Sequence, residues 1–242
     1  MSLLPRRQDA TSIAAVKKSS VSFAMLGWLY FALVLIPWVL SRVEGLAVRG
    51  WYEELVSLLS IVGLSMMIFQ FFLTSRVDRV ANISGVDNTM RLHTKMGEFV
   101  GYLVLIHPFL ILAPRFFVAP SFALNDLWSM FTEPETSTGM YAWSLMIVWV
   151  LMSVYRSRTG LSYEAWRYTH SVGFVTIIVL ATHHAMTIGR HGRYNPWFDV
   201  LWLALASLAV AVVAYVYLLR PRRVARRPFK VVECVKRSDS DW

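Results

Sequence analysis

Apolar positions run along this chain in six blocks, separated by short polar segments. The blocks are residues 21–40, 55–73, 94–113, 141–155, 171–188 and 198–219. A helix needs ~20 mostly apolar residues to cross a hydrocarbon core ~30 Å thick. The strict apolar–polar alternation of a membrane β-barrel is missing from them, and only helices or closed barrels satisfy the backbone in lipid. The pattern therefore predicts an all-α membrane protein, a six-helix transmembrane bundle. The fourth block is the shortest. Tryptophans 28, 38, 51, 143, 149, 166 and 197 fall mostly near block ends, where interfacial anchors belong. The first block follows Arg6, Arg7, Lys17 and Lys18 but has no small-residue cleavage site after it, so it is expected to stay as the first helix.

Composition agrees. Residues of the apolar set make up 56% and charged residues 16%, against about 45–50% and about 25% in an ordinary soluble domain. The net charge of +9 would suit nucleic acid, but the cations lie between the blocks, which excludes that reading and gives topology instead. Of the 24 Lys and Arg, 19 fall in segments 1–20, 74–95, 156–170 and 220–242, on one side of the predicted bundle. Both termini are thus expected in the cytoplasm, in a bacterial inner membrane. The longest opposite segment, 114–140, carries Asp126, Glu133 and Glu135 and is expected to be a solvated cap. The segment Arg220–Arg227 forms a basic cluster suited to anionic lipid, and 229–235 reads as a strand. The lone cysteine, Cys234, leaves no Cys-x-x-Cys-His attachment motif, so a haem would have to be bound non-covalently.

The histidines change the picture most. There are six: 93, 107, 170, 183, 184 and 191. His93 and His107 fall at the two ends of the third block; His170 and the 183/184 pair fall at the two ends of the fifth. His93 to His107 is 14 residues, and so is His170 to His184. Fourteen steps of ~100° end about 40° short of four turns, so both members of a pair share a helix face, roughly 21 Å apart along the axis. Both blocks run in the same direction, so His93 matches His170 in depth and His107 matches His184. Two such helices can clamp two stacked macrocycles, since histidine is an axial ligand of haem iron and bundles build cofactor sites from facing helices. Thirteen steps turn His183 about 140° from His170, which favours His184 and leaves His183 as the alternative. Intramembrane ionisable residues also serve as polar contacts or proton relays.

Arg91-Leu92-His93 followed by His107-Pro108, and Trp166-Arg167-Tyr168-Thr169-His170 followed by His184-Ala185, resemble the third and fifth helices of the ferric reductase-like transmembrane domain. That family includes ferric reductases, NADPH oxidases and bacterial flavocytochromes, and the resemblance spans roughly residues 20–220. It implies two haem b groups, each bis-histidine: His93 with His170 at the inner level, and His107 with His184 at the outer level. Family members with a twelve-residue spacing on the fifth helix would select His183. The resemblance implies electron transfer from a cytoplasmic FAD and NAD(P)H module to an external acceptor such as ferric iron or oxygen. Arg227–Glu233 looks like the first strand of that flavin domain, of which no further fingerprint follows. FAD and NAD(P)H would then come through a missing domain or a separate cytoplasmic reductase partner. The expected organisation is a cytoplasmic segment 1–20, a haem domain 21–219, and a tail 220–242 that begins a truncated or missing flavin domain.

Haem propionates are anionic, so Arg91, Lys95 and Arg167 are candidate partners at the inner level, and Arg115, Arg190 and Arg193 at the outer level beside His191. Glu98, inside the third block, is expected to pair with Lys95 or Arg91. Gly97 and Gly101 form a small-residue pair suited to close packing. Two other functions fit the same residues: a stand-alone cytochrome b subunit serving a separate reductase or quinone, and a proton-coupled transporter using Glu98 and the histidines.

Overall fold

The computed structural model describes residues 21–74 and 78–226. In chain order the α-helices are α1 (Phe23–Val43), α2 (Trp51–Phe69), α3 (Asp78–Ser84), α4 (Val86–Val118), α5 (Pro120–Thr132), α6 (Pro134–Val154), α7 (Tyr163–Ile188), α8 (Arg190–Tyr194), α9 (Pro196–Ala214) and α10 (Arg220–Arg226). A 3-10 turn, Gln70–Leu73, continues α2, and a π-helical turn, Tyr215–Leu219, links α9 to α10. No strand occurs among the described residues. Helices α1, α2, α4, α6, α7 and α9 are long and apolar enough to cross a membrane, so the chain is an integral, multi-pass membrane protein. The expected strand at 229–235, Cys234 and the N-terminal cations lie outside the described residues.

Local chemistry sets where each helix starts. The Ser22 and Ser162 side chains accept from the backbone N–H of Met25 and Ala165, capping α1 and α7. Pro120, Pro134 and Pro196 open α5, α6 and α9, where a missing N–H costs nothing. Gly85, with φ of 83°, turns the chain between α3 and α4 in a conformation that side chains resist.

The spans are longer than their apolar blocks, because backbone hydrogen bonding continues into polar flanks. The largest difference is α4, with 33 residues where the apolar block has 20, a rod of about 50 Å. The segment 114–140 also departs from a simple solvated cap. Ala119 and Glu133 both leave helical geometry and are each followed by an initiating proline, so a helix, α5, forms between them. The Arg115–Asp126 ion pair ties it back to α4.

Half of the apolar stretch of α2 is buried, against about a fifth for each other span. Helix α2 is therefore the centre of the bundle, and the other spans give most of their surface to lipid. Exposed Trp28, Leu29, Tyr102 and Val179 belong to that lipid-facing surface. Lipid removes the hydrophobic drive between helices, which leaves close packing and interhelical hydrogen bonds to hold them. Tyr30 donates to the Met66 carbonyl (3.2 Å), Trp143 to Leu105 (3.0 Å) and Trp149 to Thr169 (3.1 Å). Pro114 cannot supply the N–H that the Leu110 carbonyl would otherwise receive, and the Tyr52 hydroxyl of α2 donates to that carbonyl instead, at 2.5 Å.

Candidate functional site

Helices α2 and α6 each pack against both α4 and α7, while α4 and α7 meet each other only marginally. The two histidine-bearing helices thus flank a gap. His93 and His170 each lie seven residues beyond the first residue of their helix, and the partners at 107 and 184 each lie fourteen further on. One crossing, α6, separates α4 from α7, so the two helices run parallel and their histidines match in order along the bundle.

At the His107 level the gap opens into a cavity of about 630 Å³, with both His107 and His184 in its wall. That volume lies inside the ~300–1,000 Å³ range of ligand and cofactor sites. Ser60 of α2, Trp143 of α6 and Trp202 of α9 share the lining. Ser60 Oγ donates to the Val56 carbonyl at 2.6 Å, so towards His107 Nδ1, 3.3 Å away, it can only accept. The Nδ1 atom of His107 therefore carries the proton, and its Nε2 keeps a lone pair. His184 lies against α6 at Gly139, where a Cβ would overlap the ring; only glycine leaves room. Its Nδ1 is buried without a partner among the described residues. His183 is exposed and its Nδ1 meets the Thr138 hydroxyl at 3.2 Å. The two neighbours thus have different surroundings, and His184 is the one on the cavity.

At the His93 level the Nδ1 atom of His93 faces the Gln70 carbonyl at 3.2 Å; a carbonyl only accepts, so here too Nε2 keeps a lone pair. His170 is held between the Trp166 ring, stacked at 4.9 Å, and the Phe174 ring at 4.7 Å. Gly173 lets α7 approach the Trp149 indole of α6, which donates to Thr169 just before His170. The buried side-chain atoms without a partner among the described residues concentrate here: both polar atoms of Gln70, Thr74 Oγ1, Arg167 Nε and Nη1, and His170 Nδ1. Buried polar groups are normally satisfied, so such a cluster marks a place where a polar ligand fits.

The remaining expected residues are placed as follows. Arg167 pairs with Glu164 through Nη2 and lies over the Tyr163 and Tyr217 rings. Arg91 and Lys95 lie over Phe23 and not against Glu98, which is exposed and has no ion pair among the described residues. Gly101 meets Val150 of α6 and Gly97 meets nothing, so only the first serves packing. Arg190 joins Glu54 and Arg193 joins Glu135.

Sequence reading passed over Ser60, Gln70 and Gly139. None of the three has a motif; each matters only because another helix brings a histidine to it. Trp166 and His191 were visible, the first as part of the Trp-Arg-Tyr-Thr-His run and the second as a neighbour of Arg190, but neither had an assigned contact.

The described residues thus form a membrane bundle in which two parallel spans each carry two well-separated histidines. The segment 59–181, just over half of the chain, matches the family described as ferric reductase like transmembrane component, and the chain belongs to that family. The matched segment contains His93, His107 and His170 and ends before His183 and His184. A relative from Archaeoglobus fulgidus, described as an uncharacterized protein, is 25% identical over 179 residues, covering 72% of this chain and 97% of that one. No solved structure matches the chain. Membership in the family points to transmembrane electron transfer in general terms.

Proposed function

We propose that this chain moves electrons across the bilayer through two b-type haems, held by His93 and His170 at an inner level and by His107 and His184 at an outer level. The observation that supports this reading is the equal placement of His93 and His107 on α4 and of His170 and His184 on the parallel α7, with His107 and His184 lining one cavity.

The donor set suits haem. Ser60 and the Gln70 carbonyl accept from Nδ1–H of His107 and His93, which orients each ring and leaves Nε2 free to ligate. Among the described residues His170 and His184 have buried Nδ1 atoms without partners, and a ligand bond at Nε2 would fix each ring. Arg167 offers two buried guanidinium nitrogens without partners among the described residues, suited to a propionate at the inner level. Arg91 is exposed over Phe23 and serves the same level only from the rim. When bound, haem b supplies a one-electron couple at its iron. The chain's own residues fix the ligands, hold the two sites roughly 21 Å apart along α4, and wall them from water with apolar side chains.

The distribution of Lys and Arg supports cytoplasmic termini, and membership in the family suggests a cytoplasmic flavin domain or subunit using FAD and NAD(P)H as the electron donor. The acceptor lies outside and is ferric iron, oxygen or a similar oxidant. The test uses liposomes containing the purified, haem-loaded chain and trapped ferricyanide. External dithionite is expected to bleach the trapped ferricyanide only when the chain is present. Bleaching at the rate of empty liposomes would overturn the proposal.

A further inference from the structure

At the end of the bundle opposite Phe23 and Arg226, a second pocket of about 410 Å³ adjoins the cavity of His107 and His184. Arg49 of the α1–α2 connection, Ile188 at the end of α7, and Arg190, Arg193 and Tyr194 of α8 line it. Arg49, Ile188 and Arg190 also line the larger cavity. Local contacts bring these distant positions together. Gly189 turns the chain after α7 so closely that a Cβ would overlap the Ala185 carbonyl. Arg190 Nη2 then donates to the Ala47 carbonyl at 2.6 Å, and buried His191 meets Glu44 Oε2 through Nδ1, also at 2.6 Å. Both contacts fasten α8 to the end of α1 and the connection that carries Arg49.

Charge in the pocket has one sign. Three guanidiniums line it and no carboxylate does. Glu54 pairs with Arg190 but is shared with Arg42, and Glu135 pairs with Arg193; neither lines the pocket. Arg49 reaches Glu54 only through its backbone N–H, and its exposed guanidinium has no hydrogen bond or ion pair among the described residues. Like charges held together repel, and a bound anion relieves that repulsion. Only five of the 24 Lys and Arg fall at this end of the bundle, and three of the five meet here. Guanidinium forks match the oxygens of a phosphate. Trp51 at the start of α2, Tyr194 and Trp197 at the start of α9 are largely exposed at the same end. Exposed Trp and Tyr settle at the headgroup level of a bilayer, which puts the pocket among lipid phosphates.

We infer that Arg49, Arg193 and Tyr194, beside the tethered Arg190, hold the phosphate of an anionic phospholipid at this face. The guanidiniums take the phosphate oxygens, and the Tyr194 hydroxyl donates to one of them. An uncharged headgroup, as in phosphatidylglycerol, keeps the net negative charge that three cations select; a choline headgroup brings a cation of its own. The site does not depend on the haem function proposed above.

The test is native mass spectrometry of the purified chain in detergent, titrated with dioleoylphosphatidylglycerol. Arg49→Gln breaks no side-chain contact among the described residues, so it leaves the fold intact; Arg49→Gln with Arg193→Gln removes two of the three cations. The unaltered chain is expected to hold one lipid more than the double variant. Its affinity at the pocket should exceed that of Arg49→Gln about tenfold, the scale of one charge-assisted hydrogen bond. Arg49→Lys should recover only part of the loss, because an ammonium lacks the fork. Dioleoylphosphatidylcholine should bind the unaltered chain and the variants equally. Equal phosphatidylglycerol counts and affinities in all of them would overturn the inference. Displacement of the lipid by millimolar glycerol 3-phosphate would overturn the lipid as occupant and give the pocket to a soluble oxyanion.

Discussion

Ser60 Oγ of α2 lies 3.3 Å from Nδ1 of His107 on α4 while its own proton goes to the Val56 carbonyl at 2.6 Å. The serine is thereby a pure acceptor towards the imidazole and fixes its tautomer. Outer partners of this kind commonly change metal affinity by about 10–100-fold. Ser60→Ala is expected to speed haem loss from one of two sites by about tenfold, followed by transfer to apomyoglobin. The other site should hold its haem, because His93 is oriented by a backbone carbonyl that no side-chain substitution removes. Equal, unaltered loss rates at both sites would show that the serine orients nothing.

The two adjacent histidines on α7 separate cleanly. His184 lies on the cavity, and His183 is exposed against Thr138. His184→Ala should lower haem content to about half, while His183→Ala should leave it intact. The reverse result would assign the ligand to His183.

Gly139 gives a steric version of the same test. A Cβ on it would overlap the His184 ring. Gly139→Leu is expected to displace that ring and empty the outer site, visible as a halved absorption band on dithionite reduction, with the chain still folded. Full haem content in a folded Gly139→Leu chain would contradict the packing described.

Tyr52 tests the packing of α2 on α4 at the rim of the cavity. Its hydroxyl serves the Leu110 carbonyl that Pro114 leaves without a donor. Tyr52→Phe leaves a buried acceptor unpaired, expected to cost about 1 kcal/mol and to lower the thermal midpoint by a few degrees. Adding Pro114→Ala restores an N–H and should recover most of the loss. No change in Tyr52→Phe would mean that the carbonyl finds another donor.

Sidedness follows from the distribution of cations. A fluorescent protein fused after Trp242 should light up in cells, and a membrane-impermeant maleimide should label a cysteine placed at Ala47 but not one at Ser157. The opposite labelling would invert the bundle.

The bundle was legible in the sequence because lipid imposes one rule, a run of apolar residues long enough to cross, and six segments obey it. The spacing of the histidines could be converted into an angle and a rise because α4 and α7 each run unbroken between them. The extent of α4 was not, since hydrogen bonding carries a helix past its apolar block into polar residues such as Asp87 and Arg115. Helix α5 was hidden inside a charged segment, its start marked only by Pro120. Gly139, Ser60 and Glu44 were hidden for a different reason. Their roles arise from contacts with His184, His107 and His191 on other helices, and no local pattern records such a contact. The expected pairing of Glu98 failed because Lys95 and Arg91 turn to Phe23, a choice between two neighbours that spacing alone leaves open.

The most direct test of the central claim is the haem-to-protein ratio of the purified chain, by pyridine haemochrome against amino-acid analysis. The account predicts two b-type haems per chain, one after His107→Ala, one after His93→Ala, and none when both are replaced. A chain that binds no haem, or keeps two after both replacements, would contradict it.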